Sequence, residues 1–153
     1  MRRLLSLFVL LTLTWVAAGA QKLEPVFSTE AAPQYVRIQF KTGEAFLQDN
    51  GDGLSMRTAL FAKNGQTFAL IGNKDAFVLR SDKGNYVTMA ADNTHIGATA
   101  DKSKAIQLDL IASPGHDGCY EITKSNEKNK GINQWGGAGA GKELGFWNAG
   151  DPN

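Results

Sequence analysis

The sequence predicts an all-β fold, a β-trefoil of three four-stranded repeats, and three observations carry that prediction. From Gln34 onward, short alternating apolar runs are separated by turn residues about every ten positions, the rhythm of strands joined by hairpin turns. The same region sustains no 3.6-residue apolar period, so amphipathic helices are not expected. The runs also recur: Val36-x-Ile38, Phe77-x-Leu79 and Tyr120-x-Ile122 each open a strand, with starts 41 and 43 residues apart. Self-similarity at a fixed period decides architecture more firmly than local propensity does.

The chain begins with Met1, Arg2 and Arg3, an apolar run from Leu4 to Val16, and Ala18-Gly19-Ala20 before Gln21. A basic start, an apolar run shorter than the about 20 residues of a membrane span, and small residues ahead of a cleavage point make an export signal. Cleavage is expected after Ala20, giving a periplasmic, cell-surface or extracellular protein. Residues 21–33 are polar and carry Pro25 and Pro33, which reads as a spacer or a first edge segment. Residues 34–153 are the trefoil region.

Within each copy a glycine turn leads to a second strand: Gly43 before Phe46-Leu47, Gly84 before Tyr86-Val87, and Gly131 before Ile132. A third strand follows around Met56, Ile96 and Leu144. Twelve residues after Met56 and Ile96 come the fourth strands, Phe68-x-Leu70 and Leu108-x-Leu110. Lone hairpins are marginal in water, so three copies must bury their apolar faces against one another. Closing around a shared axis gives a barrel capped by hairpins, whereas a propeller would need at least about four blades. The same spacing places a twelfth strand near residue 156, past Asn153. The expectation is therefore a C-terminally truncated trefoil, the alternative being an open barrel with an exposed edge.

Sixteen basic residues face 15 acidic ones, a net charge of +1. Signal removal takes two arginines and no acids, leaving a mixed surface with no excess of positive charge. Neither nucleic acid nor an anionic membrane is indicated as a partner. Cys119 is the one cysteine, so no intrachain disulfide is available and the thiol reads as a small buried residue of a strand.

Gln66-Thr67-Phe68 resembles the Gln-x-Trp signature of ricin-type β-trefoil lectin domains, with Phe in place of Trp. The runs Tyr35 to Lys41, Leu47 to Gly53, Asn133-Gln134-Trp135-Gly136-Gly137 and Leu144-Gly145-Phe146-Trp147-Asn148 resemble bacterial modules of this type that precede secreted carbohydrate-active enzymes. The resemblance implies a trefoil, export, and a catalytic or surface domain downstream. It departs at Gln107-Leu108-Asp109, which has no tryptophan, and in lacking the ricin-type disulfides.

Residues 131–147 hold two tryptophans and six glycines. Indole faces beside amides suit a sugar, because one part takes the apolar C–H face and the other the hydroxyls. Asn133, Trp135, Trp147, Asn148 and Asp151 form the candidate carbohydrate site, with Asp49 and Asp52 as a minor contact in the first copy. Strand alternation puts Gln134 and Trp135 on opposite faces, and likewise Phe146 and Trp147, so an outward tryptophan would be informative. Packing of both indoles in the core is the competing reading.

Asp49-Asn50-Gly51-Asp52-Gly53 is not a calcium hand, since Gly51 fills the third place and Leu60 the twelfth; it suits a hairpin turn. Gly136 to Lys142 misses a phosphate loop because Glu143 stands where Ser or Thr is required, and it reads as a flexible connection. His95 and His116 lack metal-ligand spacing, and no catalytic set or cofactor site stands out. The sequence thus supports a non-catalytic, glycan-binding module of a larger exported protein. A spacer or protein-interaction trefoil, or a stand-alone inhibitor, are the alternatives.

Overall fold

The computed structural model describes residues 24–42, 44–51, 57–59 and 64–150. Twelve strands run through them: β1 (Phe27–Ser28), β2 (Tyr35–Arg37), β3 (Phe46–Gln48), β4 (Arg57–Ala59), β5 (Thr67–Asn73), β6 (Ala76–Ser81), β7 (Tyr86–Met89), β8 (Ile96–Thr99), β9 (Leu108–Ala112), β10 (Tyr120–Lys124), β11 (Glu127–Gln134) and β12 (Leu144–Asn148). One 3-10 turn, Lys102–Lys104, precedes β9. The fold is all-β. The export signal, Gly43, Asp52, Gly53, Met56, Leu60 and Asp151 lie outside the described residues.

A circuit of antiparallel ladders runs β2 to β5, β5 to β6, β6 to β9 and β9 to β10, through pairs such as Val36 with Phe68, Leu70 with Leu79, Phe77 with Leu108 and Leu110 with Ile122. Off this circuit stand three hairpins, β3–β4, β7–β8 and β11–β12. Alternation explains the core: Phe68, Leu70, Phe77, Leu79, Val87, Ile96, Leu108, Leu144 and Phe146 come from every part of the chain and form one buried cluster. Gln66, fully buried, donates from Nε2 to Gln48 Oε1 at 3.1 Å, so the glutamine of the Gln-x-Phe run ties β3 to the start of β5.

Two local readings are corrected. Gly131 is not a turn residue. It lies inside β11, in register with Thr123 and Trp147, and a Cβ there would approach Ile122 O to 3.7 Å. The turn is instead Ser125-Asn126. Cys119 stands just before β10 and is only half-buried, because the turn of residues 113–118 carries it toward the surface.

The segment before β2 is part of the fold. β1 pairs in parallel with β5, Phe27 opposite Leu70, and the Phe27 ring meets Phe77 edge to face at 5.5 Å. Glu30 accepts hydrogen bonds from Lys102 Nζ at 2.7 Å and from the Tyr86 hydroxyl at 2.5 Å, with Arg80 Nη1 at 3.5 Å. Glu24 accepts from the Tyr120 hydroxyl at 3.1 Å. These contacts bind the N-terminal segment to strands more than 40 residues away.

The Lys102 and Tyr86 hydrogen bonds hold the Glu30 carboxyl below its ordinary value of 4.5. A carboxyl depressed in the folded state adds stability above its unfolded pKa and loses it as pH falls through the folded one. Glu30 is 39% exposed, so solvent screening limits the contribution to below about 1 kcal/mol. Glu30→Gln is expected to lower Tm slightly at pH 7 and to converge with the parent as the pH drops well below 4.5. A constant Tm difference across that range would refute the linkage.

Candidate functional site

The outer face of the β11–β12 hairpin is set by its register. Ile132 pairs with Phe146, and Gly131 with Trp147. Leu144 and Phe146 go into the core at 0% and 7% exposure, so the alternate position, Trp147, is turned to solvent and remains 46% exposed. Trp135, half-buried, stands edge-on to Trp147 with centroids 5.6 Å apart and planes at 89°. Its backbone N–H donates to Glu143 O at 2.8 Å. Gly145 makes room for it, since a Cβ there would lie 3.1 Å from Trp135 Cε3 and 2.8 Å from Thr94 O.

Lys130 reaches over the exposed indole, with Nζ 5.4 Å from the Trp147 ring centroid and donating to Asn148 Oδ1 at 2.8 Å. Asn148 is exposed, but alternation turns it to the opposite strand face from Trp147, where it joins Ile122 and Ile132 in lining a groove. Asn133 is on the same strand face as Gly131 and Trp135 but is 6% exposed, and its Oδ1 accepts from Gln134 N at 3.2 Å. Trp135 and Trp147 are therefore together at the surface, Asn133 is buried on their side of the strand, and Asn148 is linked to them only through Lys130. Asp49 belongs elsewhere: it is fully buried, and its carboxylate accepts from Ser81, Asn85 and Gly51.

Beside Trp135 lies a polar chain that sequence reasoning missed. Asp92 accepts from the backbone N–H groups of Thr94 and His95 and meets His95 Nδ1 at 2.5 Å. The His95 ring and backbone contacts pull the Asp92 carboxyl down to about 2. His95 Nε2 faces Glu143 Oε2 at 3.5 Å, while Glu143 Oε1 accepts from Arg57 Nη2 at 2.7 Å. The His95 ring also meets the Trp135 ring at 4.9 Å. Arg57 and Glu143 are 86 residues apart, so no local pattern could have paired them.

The glycine-rich connection is also tethered, contrary to its reading as a flexible loop. Thr58 donates its N–H to Lys142 O and accepts from Gly141 N at its carbonyl. Its hydroxyl donates to Gly139 O and accepts from Lys142 N. Gln134 Oε1 accepts from Gly139 N while Nε2 donates to Thr42 O. Positive φ at Gly139 (134°) and Gly141 (73°) is what lets the chain meet these partners. The loop thereby docks on β4 and holds the start of β12.

No three His, Cys, Asp or Glu side chains among the described residues are grouped as a metal site. The arrangement is an exposed aromatic pair with the Lys130 ammonium over one ring and the Asn148 amide bonded to that ammonium. It can stack against an apolar face and hydrogen-bond polar groups around it.

The architecture is that of the ricin B-like lectin fold. One solved structure that shows the likeness is the ricin B-like lectin of Macrolepiota procera in complex with lactose, with a TM-score of 0.65 and 17% identity over 81% of this chain and 90% of that one. At this identity the likeness is one of fold, and it does not extend to the bacterial enzyme modules of the sequence comparison. No protein-family model and no curated protein sequence matches the chain.

Proposed function

We propose that this chain is a non-catalytic β-trefoil module that binds glycan on the outer face of β11–β12. One observation carries the reading: Trp147 is a large aromatic held 46% exposed, set at right angles to Trp135 and with the Lys130 ammonium over its ring. An indole in that position offers a sugar ring the apolar surface that Lys130 leaves uncovered, and the ammonium over it offers a hydrogen-bond donor for a hydroxyl. Full burial of both indoles would have favoured the spacer reading. The lactose bound by the Macrolepiota procera lectin supports the choice of ligand class. In this reading the three copies close as a trefoil, Ala20 marks the end of an export signal, and the module is the N-terminal part of a larger glycan-active exported protein.

The test is binding of residues 21–153 to a broad glycan array that includes lactose, followed by calorimetry on the best ligand. Trp147→Ala is expected to weaken binding by more than about tenfold, as loss of a central aromatic anchor does. Its Tm should stay within about 2 °C, because an exposed position contributes little to folding. Absence of glycan binding by the parent protein would overturn the proposal.

A further inference from the structure

Uncompensated positive charge stands at the tryptophan pair. The acids linked to Trp135 are already engaged: Asp92 meets His95 Nδ1, and Glu143 meets Arg57 Nη2 at 2.7 Å and His95 Nε2 at 3.5 Å. Lys102, Lys124 and Lys128 each hold a carboxylate at 2.7 to 3.0 Å. Lys130 differs. Its Nζ lies over the Trp147 ring and donates to the neutral Asn148 amide, and no carboxylate among the described residues pairs with it. Glu121, whose side chain reaches toward Gly131, accepts from Gly150 N at 2.9 Å and from the Ser113 hydroxyl at 3.3 Å and makes no ion pair with Lys130. In the loop after Trp135, Lys142 donates to Gly136 O at 3.3 Å and is also without a carboxylate partner among the described residues.

An ammonium has three N–H donors, and the Asn148 bond uses one. Two are left for whatever rests on the indole. A sugar hydroxyl can accept one of them, but a carboxylate or sulfate accepts with opposite charge and adds an attraction that a hydroxyl lacks. The Asn148 bond also holds the ammonium over the ring, which reduces the side-chain freedom lost on binding.

We propose that the glycan taken at this face is anionic, bearing a carboxylate or sulfate on the sugar that rests on Trp147, and that Lys130 selects for it. This selectivity rests on the glycan-binding reading above and narrows its ligand class.

Two matched pairs of ligands test it on residues 21–153. One is a set of uronate-bearing oligosaccharides and the same set with each carboxylate reduced to an alcohol. The other is a set of sulfated oligosaccharides and its desulfated form. In at least one pair the anionic member is expected to bind at least about tenfold more tightly, and the responding pair distinguishes carboxylate from sulfate. The preference should shrink as ionic strength rises from about 0.01 M to about 1 M. Lys130→Met should weaken the anionic member at least about tenfold and the neutral member less than about threefold, whereas Lys130→Arg should keep the preference. Lys74→Met, which removes the same charge from the β5–β6 turn, should leave the preference in place. Equal binding of anionic and neutral members in both pairs, or a preference that survives in Lys130→Met, would overturn the inference and leave the glycan-binding reading standing. No binding of any member of either pair or of the glycan array would overturn both.

Discussion

Asp49→Ala is expected to lower stability by about 3 kcal/mol, a fall in Tm of roughly 10 °C for a domain of this size. Asp49 is 0% exposed. Its Oδ2 accepts from Ser81 Oγ at 2.5 Å and Asn85 Nδ2 at 3.0 Å, and its Oδ1 from Gly51 N at 2.8 Å. Its own N–H donates to Gly65 O at 2.8 Å. Through these bonds the residue after β3 grips the turn between β6 and β7. Alanine would leave three donors without the acceptor around which they are arranged, and a buried donor without a partner costs more than the net gain of making the bond. Chemical denaturation of the two proteins measures the difference. A Tm within about 2 °C of the parent would refute the role. Glycan affinity per folded molecule should not change, because Asp49 is far from Trp147 in the ladder order and has no lone pair aimed at solvent.

Phe77→Ala is expected to cost about 4 kcal/mol, in the range of buried Phe truncations. Phe77 is 1% exposed and sits at a junction. It pairs with Gly72 across the β5–β6 hairpin and with Leu108 of β9, and it takes the edge of Phe27. Gly72 is required opposite it, since a Cβ there would stand 2.3 Å from Ala76 O and 3.0 Å from Phe77 Cα. The cavity left by Phe77→Ala would therefore open on two ladders and undock β1. Phe27→Ala, which removes a partly buried ring from the other side of the contact, should cost about half as much. Denaturant titration gives the sizes, and faster amide exchange at Phe27 and Ser28 in Phe77→Ala would report the undocking. A loss below about 1 kcal/mol would show that the core closes over the gap.

Strand positions were legible because alternation and turn residues are local. Ile96 and Leu108 stand where β8 and β9 begin, and Phe68, Phe77 and Tyr120 lie in β5, β6 and β10. The outward turn of Trp147 was legible only as an alternative. Alternation requires Trp147 and Phe146 to diverge but cannot say which faces the core; the packing of Leu144 and Phe146 against the common cluster decides it. The fate of Asp49 was not legible at all. An acid in an Asp-Asn-Gly-Asp run reads as a turn or a ligand, and its burial depends on Ser81 and Asn85, more than 30 residues away.

The sequence by itself determined the all-β class, the positions of most strands, and the concentration of aromatic and glycine residues between Gly131 and Trp147. Tertiary structure alone decided that Asp49 is a core tether and that the glycine-rich loop is docked on Thr58. It also decided that the N-terminal segment is bound through Phe27 and Glu30. The physical reason is range. Periodicity and turn chemistry act over a few residues and can be read along the chain. Burial and hydrogen-bond satisfaction arise only when segments 30 to 90 residues apart are brought together.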